Sequence, residues 1–169
     1  MIIHLVRHAE AIDRSPDIPE EHRFLTARGR NRFRKIAATL KKSDIDPDVI
    51  LTSPLIRAVQ TAEILAQSLK FKGDLVITPL LAHGFQMAEL GALLQQYAQA
   101  REIALVGHEP ELGAVAGNLL AAEAPCSLEK GATISFKRRG DEPFDFRQLV
   151  DGGAKLVKSR SKALKRLNQ

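Results

Sequence analysis

Four side chains stand where a phosphoryl group could be held and attacked. Arg7 and His8 directly follow the apolar run Ile2-Ile3-His4-Leu5-Val6. Arg57 lies beyond Val49-Ile50-Leu51, just past Ser53-Pro54, and His108 follows Ile103 to Val106 within Gly107-His108-Glu109-Pro110. Guanidinium groups fork onto phosphate oxygens and stay charged at physiological pH. An imidazole among such cations has its charged form repelled, so it is a neutral nucleophile near pH 7. In-line attack on phosphorus, with the arginines balancing the phosphoryl charge, is the chemistry these residue types allow. The chain lacks a Walker loop, a clustered set of aspartates and an HExxH motif, the signatures of magnesium or zinc mechanisms. No metal and no cofactor are expected.

The elements that must position these residues are readable as alternating short apolar runs and helical periods. Ile2 to Val6 reads as a strand buried on both faces. Thr26 is suited to cap a helix whose apolar positions are Phe33, Ile36, Ala37 and Leu40. Val49 to Leu51 is a second strand, and Pro54 is suited to open the helix that buries Ala58, Ala62 and Leu65. A third strand is expected at Leu75 to Thr78 and a third helix around Leu90, Leu93, Leu94 and Tyr97. Ile103 to Val106 is a fourth strand, and a helix with Leu112, Val115, Ala116 and Leu119 follows Pro110. Two more strands are expected at Thr133 to Lys137 and Phe144 to Val150.

Four strand–helix alternations predict an α/β fold, a three-layer αβα sandwich around a mostly parallel sheet of about six strands. Such sheets carry ligands at the carboxyl ends of their strands, which is where Arg7, His8, Ser53, Arg57 and His108 fall. The helix N-terminus before Arg57 also favours an anion. The longest irregular stretch, Glu10 to Leu25, is of a length that tends to be functional.

A chain of 169 residues fits one domain of ordinary size. Its one cysteine, Cys126, excludes an intrachain disulfide. The formal charge of +5 looks suited to nucleic acid until it is located. Lys155, Lys158, Arg160, Lys162, Lys165 and Arg166 are six of the 25 basic residues, leaving 19 against 20 acids. The excess therefore belongs to the end of the chain. We divide it into a catalytic domain, residues 1–153, and a basic tail, residues 154–169, expected to be a solvated end. With one tyrosine and no tryptophan, nucleic acid is not an expected partner. No apolar run approaches a membrane span and no leader pattern precedes Ile2, so no membrane association and a cytoplasmic location are expected.

Four segments in order resemble the histidine phosphatase superfamily, the phosphoglycerate mutase-like proteins. They are Leu5-Val6-Arg7-His8, Leu25-Thr26-Ala27-Arg28-Gly29, Ser53-Pro54-Leu55-Ile56-Arg57-Ala58-Val59-Gln60-Thr61-Ala62 and Val106-Gly107-His108. The small size and the Gly-His-Glu-Pro form look most like the SixA-type phosphohistidine phosphatase branch. The resemblance implies that His8 is the nucleophile of a phosphohistidine intermediate and that Arg7, Arg57 and His108 hold the phosphoryl oxygens. It also implies a phosphorylated protein or small phosphorylated molecule as substrate.

Two positions depart from the family. Ala9 stands where glycine is frequent. Larger members carry a carboxylate in a Pro-x-Leu-x-Glu context after the third strand, as donor to the leaving alcohol, and a long segment that roofs the site. Here Pro79-Leu80-Leu81-Ala82-His83 has no carboxylate, and Pro79 to Glu89 is too short for a roof. Glu10, His83 and Glu109 are the candidate proton donors, while His4 reads as a packed core residue and His22 as a solvated one. The function that follows is a metal-independent phosphatase acting on protein phosphohistidine. Small-molecule monoester hydrolysis and a catalytically silent phosphate-binding module are the alternatives.

Overall fold

The computed structural model describes residues 1–168. Strand β1 (Ile2–Arg7) is followed by helix α1 (Ala27–Lys42), β2 (Val49–Thr52), α2 (Ile56–Leu69) and β3 (Asp74–Ile77). Then come α3 (Met87–Gln96), β4 (Glu102–Gly107), α4 (Glu111–Leu119), β5 (Thr133–Lys137), β6 (Asp145–Val150), β7 (Leu156–Val157) and α5 (Arg160–Leu167). They form one seven-stranded sheet in the order β3-β2-β4-β1-β5-β6-β7. β1 to β4 pair in parallel and β5 to β7 extend the sheet antiparallel. This is the expected α/β sandwich, with one strand more than the apolar runs suggested.

Alternation along the strands divides the core into two layers. Ile3, Leu5, Leu51, Ile103 and Leu105 face Leu93, Leu112, Val115 and Leu167 on α3, α4 and α5. Val6, Ile50, Ala104 and Val106 face Phe33, Ile36, Ala58 and Ala62 on α1 and α2. Inside the second layer His4 is 1% exposed. Its Nδ1 pairs with Ser135 Oγ at 2.8 Å and its Nε2 with Glu102 Oε1 at 2.7 Å. Those contacts join β5, β1 and β4, and Glu102 also accepts from Asp46 N at 2.7 Å. A buried polar trio is tolerable only when its members satisfy one another, so His4 is a structural residue, as its sequence context suggests.

The basic end of the chain differs from the expected solvated tail. Leu156 and Val157 add an edge strand to β6, and α5 buries Ala163 and Leu167 against the body. Ser159 caps α5, Ser127 N donates to Leu167 O at 2.7 Å, and Arg166 pairs with the buried Asp151. Only three apolar positions recur across those eight residues, so the sequence shows a charge cluster more strongly than a docking face. Arg160 donates to Leu120 O, whereas Lys155, Lys158, Lys162 and Lys165 are exposed. Among the described residues no helix is long and apolar enough to cross a membrane.

Because Leu167 is 2% exposed, Leu167→Ala should lower the unfolding free energy by about 2–4 kcal/mol, the usual cost of such a core truncation. Urea denaturation checks this; a change below about 0.5 kcal/mol, typical of surface substitutions, would mean that α5 does not belong to the cooperative core.

Candidate active site

Parallel pairing brings the ends of β1, β4 and β2 side by side. Arg7 is the register partner of Gly107, and Thr52 that of Val106. The ladder continues one residue past the strands: His8 N donates to Gly107 O at 3.0 Å and Ser53 N to Val106 O at 3.0 Å. His8, Ser53 and His108 are thereby fixed on one rim by backbone bonds before any side chain is considered.

The residues of α2 complete the site from the side. Ala58 and Ala62 are fully buried, and their small size lets the helix lie close over the sheet. Arg57 sits in its first turn and donates from Nε to His8 Nε2 at 3.2 Å. One turn later Thr61 Oγ1 donates to Arg57 O at 2.7 Å and accepts from Ala9 N at 3.0 Å. Gln60 Oε1 accepts from Leu25 N at 2.8 Å. The Ser-Pro-x-x-Arg-Ala-x-Gln-Thr-Ala segment is thus one helix N-terminus whose polar positions tie down the pocket and whose alanines pack.

The Leu-Thr-Ala-Arg-Gly segment does the same from α1. Thr26 caps the helix by accepting from Gly29 N at 2.8 Å and donates from Oγ1 to Glu10 Oε1 at 2.9 Å. A Cβ on Gly29 would fall 2.1 Å from Glu10 O, so only glycine lets α1 approach the chain leaving His8. Ala9 itself is not among the positive-φ residues; this backbone does not need the glycine frequent in the family.

The tautomer of His8 follows from its neighbours. Its Nδ1 donates to Ala9 O at 2.7 Å, and its Nε2 accepts from Arg57. The ring is therefore neutral with its lone pair on Nε2. Burial, with smaller contributions from Arg57, Arg7 and Arg23, pulls its pKa to about 3 despite the Ala9 carbonyl. His108 lies alongside, ring centroids 5.2 Å apart. Burial, then His8, Arg57 and His83, brings its pKa to about 3 as well.

Ser53 Oγ accepts from Leu55 N at 3.3 Å, leaving its own proton for His108 Nε2 at 2.7 Å. His108 then carries its proton on Nδ1, which is buried without a protein partner, as is Arg7 Nε. Arg7 is otherwise anchored by Nη1 donation to Leu128 O at 2.5 Å. Two buried donors without a protein partner thus stand on residues adjoining His8, and a tetrahedral oxyanion is the ligand they suit.

The irregular stretch after Glu10 closes one side. Glu20 O accepts from Arg57 Nη1 at 2.8 Å, and its carboxylate lies 3.0 Å from Arg57 Nη2. Arg14 and Arg23 hold the same carboxylate at 3.1 Å and 2.8 Å. His22, in the same turn, is exposed.

The sequence-derived set divides here. Arg7, His8, Arg57 and His108 come together. Glu10 does not join them: its carboxylate is taken by Thr26 and by Arg28 at 2.6 Å. The Glu109 carboxylate is engaged by Leu128 N, from which it accepts at 3.2 Å, and burial pushes its pKa up. His83 does reach the site, its ring centroid 5.2 Å from that of His108. Thr61, Glu20 and Glu111 were not singled out from the sequence, and Ser53 was placed at a strand end without a role. Ser53 and Thr61 lay inside the recognised segment; Glu20 and Glu111 carry no local signal. Among the described residues no three His, Cys, Asp or Glu side chains gather as a metal site.

Residues 3–83 match the family model of the histidine phosphatase superfamily, branch 1. An uncharacterized protein of Picosynechococcus is 34% identical over 145 residues, covering 83% of this chain and 82% of its own length. The chain belongs to the histidine phosphatase superfamily. Within it, the phosphohistidine phosphatase SixA of Escherichia coli is 24% identical over 94% of this chain and 99% of its own length. A structure of the protein histidine phosphatase SixA with tungstate superposes with a TM-score of 0.80, at 23% identity, covering 90% of this chain and 97% of that one. The fold of this superfamily member is thus that of the SixA-type branch.

The two pocket imidazoles should stay neutral in the folded protein throughout pH 5–7, and NMR titration of their ring protons should show no step there. Their pKa in the unfolded chain is 6.5. The unfolded state therefore binds more protons below that value, so stability is full above pH 6.5 and falls as the pH drops toward 3. The melting temperature should decline from pH 7 to pH 5, and His8→Ala should flatten that slope.

Proposed function

We propose that this superfamily member is a metal-independent phosphatase in which His8 Nε2 attacks phosphorus and forms a phosphohistidine intermediate. The observation that carries this reading is the fixed tautomer of His8. The lone pair is on Nε2, where Arg57 Nε donates to it, and the adjoining residues Arg7 and His108 carry two buried donors, Nε and Nδ1, without a protein partner. As the nitrogen–phosphorus bond forms, Arg57 exchanges His8 for a phosphoryl oxygen, and the two free donors take the others. Preorganised donors of this kind stabilise developing charge with little reorganisation. The tungstate complex of the related SixA protein supports it, since tungstate is a tetrahedral oxyanion like phosphate.

The substrate class we infer is phosphohistidine on a protein. The connection from β3 to α3 is a 3-10 turn at Pro79–Leu81 and a tight bend, with Leu81 and Phe85 buried on either side of it. A pocket without a roof can admit a side chain standing on another protein's surface. The leaving imidazole of phosphohistidine can take its proton from solvent on the ring nitrogen remote from phosphorus, so it needs no carboxylate. A cytoplasmic location fits such a partner. A catalytically silent module would not need a nucleophile held in one tautomer.

Rapid acid-free quenching with a phosphorus-labelled substrate should trap acid-labile label on the wild type and none on His8→Ala. Turnover in His8→Ala should fall by at least ~10³-fold, as for loss of a nucleophile. Label that persists in the variant would remove His8 from the role. Arg57→Lys keeps the charge and loses the fork, so a loss on the order of 10²-fold is expected. EDTA should leave the rate unchanged. A panel of phosphohistidine and phosphoserine peptides should show faster release from phosphohistidine; equal rates would point to general monoester hydrolysis.

A further inference from the structure

His83 is the third histidine in a row that steps outward from the pocket floor. His8 and His108 are mostly enclosed, whereas the His83 side chain is 54% exposed. Its ring lies 5.2 Å from that of His108 and tilts 35° to it. The short connection holds it in place: Leu81 and Phe85 on either side are 1% and 2% exposed. Gly84, with φ at +96° in open space, allows the bend between them.

Glu111 secures this arrangement from α4. Its Oε1 is 3.4 Å from His83 Nδ1 and accepts from Gly84 N at 3.1 Å. One carboxylate oxygen thus fixes both the ring and the backbone of the bend. Glu111 is the first residue of its helix, where the macrodipole and free N–H groups favour a negative charge. Its burial raises the pKa, but hydrogen bonds from its own N–H and from Gly84, together with His83, leave it below the usual range. With Nδ1 turned to Glu111, Nε2 is the ring nitrogen left for a ligand on this half-exposed side chain. The ionisable groups facing His83 are Glu111 on α4 and His108 at the end of β4.

We propose that His83 and Glu111 form a leaving-group dyad, with His83 the proton donor and Glu111 its positioning residue, so that this site also cleaves oxygen esters. The proposal rests on His8 as nucleophile. In the first step the His8 Nε2 lone pair forms the bond to phosphorus and the phosphorus–oxygen bond breaks. The departing oxygen keeps that electron pair and takes the proton from His83 Nε2. In the second step water attacks phosphorus, the phosphorus–nitrogen pair returns to His8, and the water proton passes to His83 Nε2. The charge of Glu111 stabilises the imidazolium, and its contact with Nδ1 keeps the neutral ring in the tautomer with Nε2 free. A histidine–carboxylate pair so replaces the missing carboxylate.

The test compares esters that differ in their need for a donor. 4-Nitrophenyl phosphate has a stable leaving anion, and phenyl phosphate has a more basic one. His83→Ala should lower kcat/KM on phenyl phosphate by about 10²-fold, the lower end of a positioned acid's contribution. 4-Nitrophenyl phosphate and a phosphohistidine peptide should change far less. Glu111→Gln should shift the ratio in the same direction by a smaller factor, Glu111→Asp should recover part of it, and added imidazole should restore phenyl phosphate turnover in His83→Ala. Equal losses on both esters, or no loss in either variant, overturn the dyad. Label trapped on His8 from 4-nitrophenyl phosphate in these variants shows that such a failure concerns the dyad and not the nucleophile; absence of that label in the wild type would instead overturn the nucleophile reading.

Discussion

The site depends on keeping one imidazole uncharged among guanidinium groups with its lone pair held on Nε2. That condition is demanding, because a histidine in water at pH 7 titrates freely and exchanges tautomers. Here the Ala9 carbonyl holds the proton on Nδ1, Arg57 Nε occupies Nε2, and burial makes a second proton costly. Each of these needs the carbonyl, the arginine and the ring at fixed positions relative to one another. The ring and the carbonyl come from the end of β1 and the arginine from the first turn of α2. The parallel pairing of β1 and β2 with β4, and the bond from Ala9 N to Thr61 on α2, are the means by which they meet.

The helices over the site show how a packing constraint becomes a chemical one. Arg57, Gln60 and Thr61 project from the same end of α2, while Ala58 and Ala62 lie against the sheet. Larger residues at those two positions would lift the helix and with it the guanidinium. In the same way, the absence of a side chain at Gly29 sets how near α1 comes to Glu10.

Much of this was legible before the structure. Buried parallel strands leave continuous apolar runs, so Ile2 to Val6, Val49 to Leu51 and Ile103 to Val106 announced their own carboxyl ends. From those ends Arg7, His8, Arg57 and His108 followed without further assumption. The less legible parts have different causes. Glu10 and Glu109 sit close to the histidines in sequence, but a strand end sends successive side chains in different directions, and their carboxylates found Arg28 and Leu128 N. Glu111 and Glu20 act through contacts with residues 27 and 37 positions away, a separation that periodicity does not register. Strand β7 has two residues, too few to produce a pattern. In the last segment Ala163 and Leu167 fall on one side of a possible helix, but the charge around them outweighed that short apolar side, which is what anchors it.

Glu20 gives the pocket a resident competitor. Its carboxylate lies 3.0 Å from Arg57 Nη2 and is shared with Arg14 and Arg23. An oxyanion that approaches through the Nε–Nη2 edge of Arg57 trades places with an anion already tethered to the same chain. Its measured affinity is then an exchange free energy, the new contacts less those given up, and the tether sets the effective concentration of the rival. Such an exchange favours a guest with more charge than a single carboxylate. It also means that inorganic phosphate, once released, faces a neighbour ready to reoccupy the guanidinium.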